Sequence, residues 1–191
     1  MSITKTLSIL LLLTLISGVL QLLPVALQKT LHYNVDNIPS ELYSLWLTPH
    51  LIHLDNIHYL INILSLTVVL FTFRAVFTPQ RFFLLFAFSA LMITLGLRYF
   101  SPDVLDYVGM SGVIYGILAA GLLWSAKKHS LLAWTVFFAI AGKVIYEQFY
   151  GPHLSIQTTL GEVVIVDAHF YGFLSGTIYT LLLMVISKKT D

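Results

Sequence analysis

The chain has 191 residues, 58% of them hydrophobic and only 10% charged, where an ordinary soluble domain carries about 25% charged residues. One small globule cannot hide that much apolar surface, so a membrane is the natural solvent. The net charge of +1 comes with no basic patch outside short loops, which leaves nothing for a nucleic acid to hold, and the lack of cysteine excludes disulfide frameworks, thiolate metal sites and a cysteine nucleophile.

Hydrophobic stretches occur in chain order at about 7–27, 57–73, 82–97, 111–124, 131–146 and 163–186. A bilayer core of about 30 Å needs about 20 helical residues to cross it. The first and last stretches have that length and the middle ones are short. The reading is an all-α, polytopic membrane protein of six transmembrane helices in one domain, 1–191. The first stretch is long for a signal-peptide core and lacks an A-x-A cleavage site. It therefore reads as a retained helix, kinked or ended by Pro24.

Positive charge sets the orientation. Lys5, Arg74, Arg81, Lys127, Lys128, Lys188 and Lys189, seven of the ten basic residues, fall on one side, which reads as cytoplasmic. Asp36, Glu41, Asp55, Asp103, Asp106, Glu147, Glu162 and Asp167 lean to the other. Both termini are expected on the cytoplasmic side. The long outer loop, about 28–56, carries Trp46 and several tyrosines and leucines, which suits an element lying in the interface.

Polar groups inside such a chain are expensive and functional by default. Ser111 stands in the glycine-rich run Gly109-Met110-Ser111-Gly112, at the head of the short fourth stretch. There it could simply cap a helix, with Gly112 and Gly116 as packing glycines. His169 lies about six residues into the last stretch, roughly 9 Å along a helix, at a depth like that of Ser111. Gly112 and Gly116, then Gly172 and Gly176, are each four apart, a spacing that lets membrane helices approach closely. A serine hydroxyl is a weak nucleophile until a base takes its proton, and histidine is the commonest such base. His58 and Asn62 share a helix face, and both can donate to an oxyanion, as can the Ser111 N–H. His50 reads instead as a group satisfying the loop.

At this point the residues resemble a known family. Gly109-x-Ser111-Gly112 with Tyr115-Gly116, Ala168-His169-x-x-Gly172-x-x-x-Gly176, and His53-x4-His58-x3-Asn62 are similar to the signature set of rhomboid intramembrane serine proteases, over about 48–176. The resemblance implies the rhomboid fold, with Ser111 as nucleophile and His169 as base, and without Asp167 as a triad acid. It implies an oxyanion hole of His58, Asn62 and the Ser111 N–H. Tyr115 would pack on the His169 ring, His53 would join a loop-side polar network, and Gly109, Gly112 and Gly172 would support the site. No cofactor or metal is implied. The Trp-Arg dipeptide common in the family's first loop is replaced by Leu42-Tyr43-Ser44-Leu45-Trp46-Leu47.

A narrower likeness lies in Lys143-Val-Ile-Tyr-Glu147-Gln148-Phe149-Tyr150-Gly151-Pro152, in Val163-Val-Ile-Val-Asp167-Ala168-His169, and in Thr48-x-His50-x-x-His53-Leu54. These resemble the rhombosortase branch. That branch implies an enzyme of the Gram-negative inner membrane, with its site opening to the periplasm, paired with type II secretion. Its partners would be transmembrane substrates with C-terminal Gly-Gly tail anchors, and the cleaved product could pass to an amine nucleophile. Lys143 and Glu147, i and i+4, could simply pair, or could form a polar gate that reads the substrate. Other readings are a general rhomboid protease, a catalytically silent rhomboid-like client-binding protein, and a membrane metalloenzyme suggested by HLDNIH. The remaining histidines are scattered, however, and neither H-x-x-H-H nor H-E-x-x-H occurs.

Overall fold

The computed structural model describes residues 1–35, 46–127, 130–151 and 165–187. Among these, the helices are α1 (Ile3–Gln21), α2 (Val25–Thr30), α3 (Asn56–Phe73), α4 (Pro79–Phe100), α5 (Ser111–Ala126), α6 (Leu131–Tyr150) and α7 (Val166–Ser187), with a 3-10 turn at Thr48–His50. A two-stranded antiparallel pair joins β1 (Tyr33–Asn34) to β2 (Asp106–Tyr107), with Tyr33 opposite Tyr107 and Asn34 opposite Asp106.

The helix starts are written in side chains that fill the free N–H groups of a first turn. Asp55 accepts from the His58 N–H at 2.7 Å, Thr78 from Arg81 at 3.2 Å and Ser130 from Ala133 at 3.2 Å. Pro79 occupies the first turn of α4, where its missing N–H costs nothing. The first helix ends at Gln21 with Leu22 as its cap, and Pro24 stands at the start of α2. Between the two helices the carbonyls of Gln21 and Leu23 accept from Gln28 Nε2 at 2.9 and 2.8 Å.

Among the described residues, five helices are long and apolar enough to cross a membrane; α5, at 16 residues, is shorter. Their apolar side chains face outward: Leu11 is 60% exposed, Val68 65%, Phe138 64% and Val185 56%. Such a surface belongs in lipid. α5 is the opposite case, mostly buried and packed against α3, α4, α6 and α7. A short helix suffices there because it is wrapped by protein.

Two expectations change. Two of the middle helices are longer than expected, α4 with 22 residues and α6 with 20, while α5 stays short at 16. Hydropathy stopped at Arg98 and at Glu147, but the backbone continues through them. α7 starts at Val166, so His169 comes three residues in, about 4.5 Å along the axis. Lys128, Lys188, Lys189, Asp36, Glu41, Glu162 and most of the 42–47 segment lie outside the described residues.

One end of the bundle gathers basic and aromatic groups. The Met1 ammonium donates to the carbonyls of Arg74 and Phe77 in the α3–α4 turn. Arg81 and Lys127 lie 5.3 and 5.6 Å from the Trp124 ring. The start of α1 thus shares a side with the α3–α4 turn and the end of α5.

Candidate active site

Ser111 is the first residue of α5, and Met110 is the capping residue. The serine is therefore not a side-chain cap. Its Oγ lies 2.9 Å from His169 Nε2 on α7. With Nε2 accepting from the hydroxyl, the imidazole carries its proton on Nδ1. That Nδ1 is buried and has no partner among the described residues, so no described carboxylate, Asp167 included, bonds to it. The Tyr115 ring stacks on His169 with centroids 4.5 Å apart and an interplanar angle of 25°.

The two helices meet at backbone distance. A Cβ on Gly172 would overlap the Gly112 carbonyl, and one on Gly176 would overlap the Gly116 carbonyl. Ser89 and Ser175 lie 2.9 Å apart, and the Ser175 hydroxyl donates to the Gly172 carbonyl at 2.7 Å. This anchors α7 to α4 beside the contact.

The approach to Ser111 is held from below by the loop. Gly109 takes φ +122°, and a Cβ there would sit 2.7 Å from the His58 ring. Its N–H donates to the Pro49 carbonyl at 2.8 Å. Its carbonyl accepts from Tyr107 Oη at 2.6 Å, and that oxygen lies 3.4 Å from His50 Nδ1. His50 is fully buried, and its Nε2 donates to the Ala90 carbonyl at 3.1 Å. Burial pushes His50 down to about 4, against the lesser upward pull of its backbone hydrogen bonds. His50 is thus a neutral strut of the loop.

His58 and Asn62 line a cavity of about 210 Å³ with Ser111, His169, Tyr115 and Asp55. Leu54 N–H donates to His58 Nδ1 at 3.5 Å, which leaves Nε2–H as the second donor. Asn62 Nδ2 donates to the His58 carbonyl at 2.8 Å. An amide nitrogen has two hydrogens, so one donor remains. Asn62 Oδ1 is buried without a partner among the described residues.

His53 joins its polar surroundings through the backbone, its N–H donating to Gln21 Oε1 at 3.3 Å. Neither ring nitrogen has a hydrogen-bond partner among the described residues. The ring instead packs edge-on against His58 and Tyr59, with centroids 5.3 and 5.5 Å away. Burial, and secondarily the neighbouring His58, push it down to about 3. It is a buried, neutral imidazole that shares a cavity wall with His58, His32 and Lys29.

A second cavity, about 620 Å³, has polar walls that include Gln28, Lys29, His32 and Asp106, and it too reaches His58 and Ser111. The His32–Asp106 contact, 3.0 Å, fastens its rim. No sequence signal marked that pair, because its members are distant in the chain and meet only through β1 and β2. The hydroxyl of Ser111 therefore lies where a polar chamber and a more apolar slot meet.

Lys143 and Glu147 do pair, and Lys143 has a third partner. Its Nζ is 2.7 Å from both Glu147 oxygens and 2.8 Å from Tyr115 Oη.

Compared with known families, residues 39–186 match the family model for the Rhomboid domain. Among curated proteins, none matches the chain.

Proposed function

The chain belongs to the rhomboid family, whose members are intramembrane serine proteases, and from that premise we propose that it is a protease with Ser111 and His169 as its catalytic dyad. The observation that carries this reading is the 2.9 Å hydrogen bond between Ser111 Oγ and His169 Nε2, at the junction of the two cavities.

His169 Nε2 takes the hydroxyl proton as Oγ attacks the scissile carbonyl carbon. The carbonyl π electrons move to oxygen, and the oxyanion is met by the Ser111 N–H, His58 Nε2–H and the spare Asn62 donor. The imidazolium then protonates the leaving amine as the C–N bond breaks, which leaves an acyl-serine. A water, activated by His169 in turn, releases the acid; an amine in its place would give a new amide. The polar chamber offers the route for either. Tyr115 holds the imidazole plane, which matters more here because no described acid bonds to Nδ1.

The substrate is a transmembrane segment in the bilayer. It must unwind locally, since a helical peptide bond is occupied by its own hydrogen bonds, and glycine makes unwinding easier. With the Lys143–Pro152 and Val163–His169 motifs, this favours the rhombosortase branch and a C-terminal Gly-Gly tail anchor as substrate. Six spans, cytoplasmic termini and an inner-membrane site opening to the periplasm complete the reading. It is supported by the basic cluster around Trp124 at the end of α5 away from Ser111.

The test is cleavage, in membranes, of a reporter ending in Gly-Gly, an apolar helix and a basic tail. Wild type should cleave it, and Ser111→Ala and His169→Ala should not. Mass spectrometry of the new C-terminus separates hydrolysis from transfer. Ser111-dependent cleavage of generic helices alone would leave a general rhomboid protease. No Ser111-dependent cleavage of any substrate would leave a client-binding protein.

A further inference from the structure

Lys143 and Glu147 sit one turn apart on α6. The Glu147 side chain is 7% exposed and the Lys143 side chain 44%. The acid is therefore the buried member, and the lysine reaches in to hold it. A buried carboxylate left alone is strongly unfavourable, so the two act as a fixed unit. The third bond, Lys143 Nζ to Tyr115 Oη at 2.8 Å, ties that unit to the site. Tyr115 is thus held at both ends, its hydroxyl on the ammonium and its ring on His169.

His169 needs such help. In a triad, an acid on Nδ1 fixes the imidazole and steadies its positive charge; here Nδ1 has no partner among the described residues. A lone cation nearby would oppose the imidazolium that forms when Ser111 gives up its proton. Lys143 is such a cation, with Nζ 5.1 Å from the centre of the ring stacked on the base. Glu147, bonded to it through both oxygens, cancels that charge. The other polar groups lining the cavity with His169 are Ser111 on α5, His58, Asn62 and Ser65 on α3, and Asp55 at the α3 cap. Asp167 lies on its own helix, and among the described residues α4 adds no titratable group to this cavity.

Resting on the dyad reading, we propose that Lys143 and Glu147 are positioning residues for the base. Lys143 fixes the Tyr115 ring and with it the plane of His169, and Glu147 neutralises Lys143 so that the imidazolium can form. Neither residue touches the reacting atoms; both act through Tyr115. This role serves any substrate, in contrast to a gate that selects among them.

The test uses the full chain in detergent micelles and a fluorophosphonate probe, which reads the reactivity of Ser111 without a peptide. Glu147→Gln strands the lysine charge and should slow labelling on the order of tenfold or more. Adding Lys143→Met to it should recover most of that loss, a gain that a damaged fold cannot produce. Lys143→Met and Tyr115→Phe should each slow labelling, and their combination should be no slower than the worse single change. With a peptide reporter, kcat should fall while KM holds. Unchanged labelling in Glu147→Gln and Lys143→Met, with altered choice among peptides, would overturn the positioning role in favour of a gate. A double variant slower than Glu147→Gln would overturn it in favour of plain structural support. Wild type that labels no faster than Ser111→Ala would instead overturn the dyad, and the positioning role with it.

Discussion

The Gly112 carbonyl lies against the Cα of Gly172, with no room for a methyl group between them. That contact sets how far Ser111 on α5 stands from His169 on α7. Gly172→Ala should force the helices apart. Overpacking of this kind costs about 1–3 kcal/mol, but a shift of about 1 Å can cost about 10²-fold in rate. Reporter cleavage should therefore fall much further than thermal stability in detergent. Gly142→Ala is the comparison, because a Cβ there meets nothing within 4 Å; it should keep both activity and stability.

Gly109→Ala tests the approach to the nucleophile. The residue holds φ +122° and would drive its new methyl into the His58 ring. Backbone strain of about 1–3 kcal/mol should appear as a lowered Tm. Displacement of His58 should lower kcat in the same reporter assay, with KM little changed.

The oxyanion donors have their own signature. His58→Ala and Asn62→Ala should each lower kcat by about 10²–10³-fold, the usual consequence of losing one such donor. Their KM values should stay near wild type, since the donors act on charge that develops only in the transition state. Steady-state cleavage by both variants, each checked for folding, decides this.

Stability should fall in mild acid through His50. Folded, it stays neutral until about pH 4 because it is wholly buried, against an ordinary value of 6.5. Between these values the unfolded chain binds more protons than the folded one, so stability drops as pH falls. His53, pushed down to about 3, adds to the same slope. Thermal unfolding from pH 7.5 to 4.5 should show a declining Tm. His50→Gln, which keeps a donor and an acceptor, should be less stable at pH 7.5 and show a shallower decline.

Much of the site could be read from the chain because its chemistry is local. Ser111 with its flanking glycines, the glycine pairs on two helices, and the i, i+4 spacing of His58 and Asn62 all survive as geometry. What stayed hidden depends on tertiary contact. Hydropathy shortened α4 and α6 because charged residues within a helix look like its end. The partnerless ring of His53 follows from how the loop folds over it, and the bond from Lys143 to Tyr115 joins residues 28 apart in the chain. The β1–β2 pair involves two residues per strand, too few for any alternation to show.

That small strand pair has a mechanical consequence. β2 leads directly into Gly109 and Ser111, and β1 belongs to the segment that walls the polar chamber. The covering segment is therefore sewn to the backbone that carries the nucleophile. It cannot swing aside as a hinged flap while the serine stays still. Any motion that peels β1 away also tugs on the chain just ahead of Ser111, so access and reactivity move along one coordinate.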